Sequence, residues 1–357
     1  MNICIIGSVG IPASYGGFET LAERLVDTRE AKFTVYCSKK HYQEYPKKYK
    51  TADLVYIPFD ANGASSIIYD IFSMLHALIS GHKNFLVLGV SGAIFLPILS
   101  CFPKVKIITN IDGIEWRREK WKGLIKTFLK FSESLAVRFS SQVVSDNDSI
   151  TNYISEEYQS SCKTIAYGGD HAFKSMNNVR LDYIFDTSAP FALSICRIEP
   201  ENNVHLILEA FLEATLPIVF IGNWEKSTYG RALYKKYKDK INITLLKPIY
   251  CLDTLYAFRS ACSVYVHGHS AGGTNPSLVE MMHFGKPIIA YDCVFNRATM
   301  EEQGYYFSNV NNLSEIIDGY LNLSGGDHLL SIAKRRYTWE IVRKQYSCLF
   351  LKNGVST

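Results

Sequence analysis

Short apolar runs recur along this chain, most of them separated by longer amphipathic stretches. The runs at 2–7, 32–37, 53–58, 85–90, 105–110, 142–145 and 163–166 read as buried strands, with helical periodicity between most of them. Near-continuous apolar strands alternating with helices imply a parallel sheet covered on both faces. The pattern pauses across 168–190, a polar stretch rich in Asp, Asn and Ser that reads as an interdomain connection. It then restarts. Strands are expected at 191–196, 218–221, 243–246, 264–267, 287–291 and 305–307, with helices at 203–214, 229–238, 251–260, 276–284 and 313–323 and a last helix near 336–351. The expected architecture is two doubly wound α/β domains in tandem, over 1–170 and 171–336. Ligands in such sheets sit beyond the carboxyl ends of the strands, so two facing domains would put a cleft between those ends.

One apolar stretch needs separate treatment. Residues 85–102 (FLVLGVSGAIFLPILSCF) carry no charge over a length close to a membrane span. Gly89, Ser91, Gly92 and Pro97 interrupt it, and the next strand follows almost at once, so a buried strand and a short helix near 93–101 are expected instead. Composition agrees with two folded domains: 357 residues, 47% hydrophobic and 20% charged. The net charge of +4 is too mild to suggest a nucleic-acid partner. Nine cysteines without a CxxC pair suggest neither a zinc site nor a disulfide framework, which fits a reducing cytoplasm. Residues 1–7 run straight into a glycine turn, so no cleavable leader is expected.

Two segments carry candidate chemistry. The first strand leads into Ser8–Glu19 (SVGIPASYGGFE) and then a helical stretch at 20–26. Glycines let backbone amides approach an anion, and a helix start adds partial positive charge. The spacing is neither GxGxxG nor GxxxxGK[ST], so an ordinary strand-to-helix turn fits this loop equally well. The second segment is 264–287 (VYVHGHSAGGTNPSLVEMMHFGKP). Asn275 suits a helix N-cap and Pro276 the first helical position, which would leave the amides of Ser277, Leu278 and Val279 for a diphosphate. Glu280 lies one turn further on, where its carboxylate can accept a pair of sugar hydroxyls. Asp146-Asn147-Asp148 has the DxD form of some metal sites but opens a helix at Ser149, where capping is the simpler role. Aromatic residues and cations mix at 39–50 (KKHYQEYPKKYK) and at Trp116-Arg117-Arg118-Glu119-Lys120-Trp121-Lys122, a composition that suits contact with an anionic bilayer, although a solvated charged face fits 39–50 equally well.

Gly16-Gly17 after the first strand, Arg197 in CRIEPENN, and Asn275–Glu280 followed by Gly285-Lys286-Pro287 together resemble the retaining glycosyltransferases of family 4. These have the GT-B fold, two Rossmann-like doubly wound parallel-sheet domains facing a central cleft. The phrases GIPASYGGFETLAERL, NIDGIEWRREKW, YGGDH, CRIEPENN and HGHSAGGTNPSLVE, spread over nearly the whole chain, are most similar to bacterial β-1,4-rhamnosyltransferases acting on polysaccharide precursors. The resemblance implies that Gly16 and Gly17 approach the donor phosphates. Arg197 would pair with the diphosphate, and Glu280 would hold the nucleotide ribose as the second glutamate of an E-x7-E signature. Further donor contacts are implied at Asp170, His269, Gly273, Thr274, Asn275, Ser277 and Leu278. Asp112, at a strand end, would orient the acceptor or touch the sugar, completing a catalytic set with Arg197 and Glu280.

The chain departs from that pattern in three places. Gly272 stands where the first glutamate usually contacts the sugar, Asn202 where a diphosphate-binding lysine is common, and Asp112 where many members carry a histidine. The implied activity is transfer of L-rhamnose from dTDP-rhamnose to a lipid-linked saccharide. It would take place at the inner face of the plasma membrane, with no metal and no cofactor beyond the donor itself. Trp116, Arg117, Arg118, Lys120, Trp121 and Lys122 would form the membrane and acceptor surface, and residues 337–357 would pack back on the first domain. A UDP-hexose or UDP-N-acetylhexosamine donor, or a non-catalytic sugar-nucleotide-binding protein on the same fold, remain as alternatives.

Overall fold

A computed structural model describes the chain except residues 14–15, 29–30, 112, 118–121, 175–180, 182–184, 186–187 and 352–357. The chain divides into two compact units, one formed by Met1–Tyr167 with Trp339–Thr357 and the other by Gly168–Thr338.

The first unit is built on β1 (Asn2–Ile6), β2 (Lys32–Ser38), β3 (Lys48–Tyr49), β4 (Ala52–Ile57), β5 (Asn84–Leu88), β6 (Lys106–Ile111), β7 (Gln142–Ser145) and β8 (Cys162–Thr164). Their order across the sheet is β3-β4-β2-β1-β5-β6-β7-β8. Every pairing is parallel except that of the short edge strand β3, which sets Lys48 opposite Asp53 and Tyr49 opposite Ala52. The central strands are apolar on both faces, with Ile3 to Ile6 and Phe85 to Leu88 all buried, because helices cover both sides of the sheet. The apolar stretch at 85–102 becomes β5, a 3-10 turn Ala93–Phe95 and a helix Leu96–Ser100. No helix among the described residues is long and apolar enough to cross a membrane.

The last helix, Trp339–Phe350, belongs to this first unit. Its apolar stripe of Trp339, Val342, Tyr346, Leu349 and Phe350 is buried, each such side chain contributing about 1.5–3 kcal/mol. The Asn110 side chain in β6 donates to the Tyr346 hydroxyl at 2.7 Å, and Arg343 donates to the Arg24 carbonyl at 3.5 Å.

The second unit contains β9 (Ala192–Ile195), β10 (Ile218–Ile221), β11 (Ile243–Leu246), β12 (Val264–His267), β13 (Ile288–Tyr291) and β14 (Tyr305–Phe307). The order β11-β10-β9-β12-β13-β14 is wholly parallel and reverses direction between β9 and β12. That reversal is where an open α/β sheet offers a crevice for a ligand.

Three elements escape the sequence reading. Strand β3 has two residues and lies within the basic aromatic stretch at 39–50. The helix Val294–Thr299 is under two turns long, and Gly326–Arg336 starts from a glycine pair that reads as loop. The helix after β1 also begins earlier than its apolar periodicity suggests, at Gly17, with Gly16 as N-cap in the left-handed half of backbone space (φ 130°).

Candidate nucleotide-sugar site

β9 and β12 are neighbours, so the loops leaving their carboxyl ends lie side by side. Arg197 sits two residues beyond β9, half-exposed, with Glu199 3.8 Å away. Four hydrogen bonds join this loop to the one after β12. Asn203 donates to the Gly268 carbonyl at 2.9 Å. The Ser270 amide and hydroxyl both donate to the Glu201 carbonyl, at 3.0 and 2.8 Å. The Asn202 side chain spans the junction: its amide donates to the Arg197 carbonyl at 2.7 Å, and its oxygen lies 2.6 Å from His269 Nδ1. Asn202 is therefore a buried brace for the Arg197 loop, at a position where a lysine would have aimed a charge outward. His269 is the other half of that brace, and its carbonyl also accepts from Asn296 at 2.8 Å. His267, the last residue of β12, is buried, which pushes its imidazole down to about 3 and keeps it neutral.

Beyond His269 the chain turns through Gly272, whose φ of 103° strains any side chain. The loop is thus shaped around glycine, a physical reason for the absence of a glutamate there. Asn275 then caps the helix Pro276–Met282: its side-chain oxygen accepts from the Ser277 amide at 3.0 Å and the Ser277 hydroxyl at 2.8 Å. The Leu278 and Val279 amides both donate to the Asn275 carbonyl, at 3.1 and 3.3 Å. The expectation of free amides at Ser277, Leu278 and Val279 is corrected accordingly. A capping asparagine satisfies the donors that a diphosphate was expected to meet.

Glu280, one turn into this helix, is engaged through both oxygens. Arg259, buried in the helix Leu252–Ala261, donates from Nη2 to Oε2, and His171 Nε2 lies 3.3 Å from Oε1. Burial alone would raise the carboxyl. The Arg259 charge and the His171 contact outweigh it and hold Glu280 below the usual carboxylate range. Each carboxylate oxygen has two lone pairs, so capacity for ligand hydroxyls remains.

His171 reaches Glu280 because YGGDH presses directly onto the helix. A Cβ at Gly169 would sit 2.6 Å from the Val279 carbonyl carbon, so only glycine permits this approach. Asp170 starts the adjoining turn Asp170–Phe173. The structure thus brings Asp170, His171, Arg259 and Glu280 into one neighbourhood. Sequence reasoning missed Arg259. Its signal was a cation on the same helix face as the buried Thr254, Leu255 and Phe258, where a charge needs a partner.

The first unit differs from expectation in its opening loop. The Val9 amide donates to Glu19 Oε1 at 2.8 Å and the Ala13 amide to Glu23 Oε2 at 2.7 Å. Two carboxylates from the following helix therefore take up amides of the loop that leads to Gly16 and Gly17. Gly16 caps that helix, and Gly17 lies against the Tyr167 hydroxyl. Asp112, Arg118, Lys120 and Trp121 lie outside the described residues. Trp116 is half-buried, with Arg117 stacked over it at 5.2 Å, while Lys122 is exposed. In the DxD stretch Asn147 is the cap, accepting from the Ser149 amide at 3.0 Å, and Asp148 opens the helix. Among the described residues no three metal-ligating side chains cluster. In the stretch at 39–50, Lys50 is tied to Glu23 at 3.5 Å and Asp27 at 3.8 Å.

Comparison with known proteins adds an independent line. A family profile described as "Glycosyl transferases group 1" matches residues 177–334, and one described as "Domain of unknown function (DUF1972)" matches residues 1–170. No curated protein matches. Among solved structures, sucrose-phosphate synthase from Thermosynechococcus elongatus is similar with a TM-score of 0.81 at 13% identity, covering 98% of both chains. HepE from Anabaena, in complex with UDP and glucose, gives 0.72 at 14% identity, covering 97% of this chain and 98% of its own. A glycosyltransferase from Rickettsia africae gives 0.73 at 12% identity, covering 99% of each. Such identities speak to fold. Residues 177–334 thus match a group 1 glycosyltransferase profile, and the two parallel-sheet units have the GT-B fold.

Proposed function

We propose that the protein is a retaining glycosyltransferase that moves L-rhamnose from dTDP-rhamnose onto a lipid-linked saccharide during assembly of a bacterial cell-surface polysaccharide. The observation that carries this reading is the Glu280 site within the group 1 domain. There a carboxylate kept anionic by Arg259 and His171 stands on the helix that follows β12, the strand next to β9 and its Arg197 loop. Glu280 would accept the ribose hydroxyls of the donor. Arg197, half-exposed and permanently charged, would meet the diphosphate and the negative charge that grows on it as the sugar leaves. Gly273 and Thr274 would line the donor, while Asn275 and Ser277 shape the turn and Leu278 fills the core beneath it. No metal is part of the proposal, since Arg197 supplies the positive charge. The glycine at 272 leaves out a carboxylate that would read hexose hydroxyls, which suits a deoxy sugar. Trp116, Arg117 and Lys122 of the first unit would face the membrane that carries the acceptor.

A second reading has its own support. The similar HepE structure holds UDP and glucose, so a UDP-hexose donor is the alternative. The test is to incubate the full chain with dTDP-rhamnose, UDP-glucose or UDP-N-acetylglucosamine and a lipid extract as acceptor, reading free nucleotide. Release of dTDP from dTDP-rhamnose supports the proposal. Turnover with a UDP-sugar alone supports the second reading, and no turnover with any donor overturns both.

A further inference from the structure

We infer that one side of the first unit, formed by the helix Ser65–Ile79, the segment Ala93–Ser100 and the helix Leu124–Phe139, docks flat on an anionic lipid bilayer. The choice of a bilayer as occupant rests on the lipid-linked acceptor proposed above. The connections β4 to β5, β5 to β6 and β6 to β7 all step the same way across the sheet. Right-handed crossovers therefore put these three segments on a single side. They are also in contact. A Cβ at Gly92 would lie 2.3 Å from that of Asp70 in the first helix, and Ser132 of the third donates to the Val90 carbonyl at 2.5 Å.

Two independent properties of this side point to lipid. The first is exposed apolar surface. On the helix Ser65–Ile79, Tyr69, Ser73, Met74 and Ala77 are buried, whereas Ile68, Phe72, Leu75 and Ile79 form an outward stripe, Ile79 being 78% exposed. With six more on the other two segments and the turn between, of which Leu124 is 88% exposed, they make ten of the twenty exposed large hydrophobic side chains among the described residues. Scattered apolar residues are ordinary on a surface; half of them on one side is not.

The second property is charge. The acidic side chains on these segments are Asp70 and Glu133, both buried. The exposed charged side chains are Lys126, Lys130 and Arg138, all cationic, and Arg117 and Lys122 stand just before them. Lys126 and Lys130 lie 5.7 and 4.9 Å over the Trp116 ring, at an open cavity of about 400 Å³ walled by Trp116, Phe131 and Tyr158. Glu157, on the next helix of the same side, pairs with Lys130 at 2.9 Å, and Glu156 beside it is also exposed. Apolar side chains beside this group of exposed cations match acyl chains beneath anionic headgroups.

The experiment sediments the full chain with phosphatidylglycerol-containing vesicles and with pure phosphatidylcholine vesicles. The parent is expected to bind the anionic vesicles and bind the neutral ones weakly. Ile68→Ser with Phe72→Ser and Ile79→Ser should weaken the anionic-vesicle partition by about tenfold or more, since three interfacial side chains lose their apolar surface. Lys126→Ser with Lys130→Ser should weaken it about tenfold and abolish its salt dependence in part. Ile241→Ser with Leu321→Ser, still more exposed but in the second unit, should leave it unchanged. Melting curves verify that each variant is folded. Equal sedimentation of parent and variants overturns the inference, as does failure of the parent to bind. So does a dimer of the parent that the apolar variant dissolves without any effect on vesicles. Donor turnover, followed in parallel, separates the two proposals: turnover without vesicle binding sinks the docking face alone, and vesicle binding without turnover sinks the enzymatic reading alone.

Discussion

Glu133 in the first unit is a buried carboxylate on a helix and Glu280 in the second a largely buried one, and their surroundings treat them in opposite ways. Oε1 of Glu133 accepts from the Tyr158 and Tyr153 hydroxyls at 2.7 and 2.8 Å and from Trp116 Nε1 at 3.3 Å. Those donors are neutral, so burial prevails and pushes the carboxyl above its usual range. Glu280 is largely desolvated too, but Arg259 and His171 reverse the balance and hold it low. Desolvation acts on both alike; the charge of the partner decides the outcome. The consequence is a division of labour. Glu133 ties three aromatic side chains together and fixes the edge of Trp116. Glu280 stays anionic, the form that accepts hydroxyls of a ribose.

The largest effect expected from breaking this contrast comes at Arg259. Arg259→Ala leaves Glu280 buried without its counter-charge and should destabilise the chain by about 3–5 kcal/mol in urea unfolding. A loss under about 1 kcal/mol would mean that the pair does not hold the site together. Next in size is the cap. Asn275→Ala removes the acceptor for the Ser277 amide and should cost about 1 kcal/mol by the same measurement. The most delicate prediction concerns acid. Glu280 has a depressed folded-state value, so its stabilisation is present above the ordinary carboxylate pKa and lost as pH falls through the lower one. The stability gap between the parent and Glu280→Gln should therefore shrink below about pH 4.3. Glu133 has a raised value, so its contribution is greatest below the ordinary pKa and is lost as pH rises through the folded one. Glu133→Gln should gain on the parent as pH rises from about 4.3, a slope of opposite sign. Parallel slopes for the two variants would erase the contrast.

The fold was largely legible because its strands are buried on both faces, and such runs stand out without any partner information. What periodicity could not show was which groups satisfy a loop. Glu19 and Glu23, four residues apart on one helix, turn back to take the Val9 and Ala13 amides, and nothing in glycine spacing announces that. Asn275 was readable as a cap, but its full consequence was not: a cap that works consumes the donors it sits beside. Glu280 was found from its place on the helix, whereas Arg259 lies 21 positions upstream and His171 more than a hundred, meeting it only through the packing of β12 and the YGGDH turn. The departures at Gly272 and Asn202 stand out in the sequence as breaks in the family pattern. In the structure the first is demanded by backbone geometry and the second carries the Arg197 loop.

The central claim, that the anionic Glu280 grips the donor, is tested most directly by calorimetric titration of dTDP-rhamnose into the parent, Glu280→Gln and Glu133→Gln. Glutamine keeps the shape and removes the charge, so Glu280→Gln should lose about tenfold in affinity, the difference between a charged and a neutral hydrogen-bond acceptor. Glu133→Gln should bind as the parent does. Unchanged affinity in Glu280→Gln, or an equal loss in Glu133→Gln, would contradict the account.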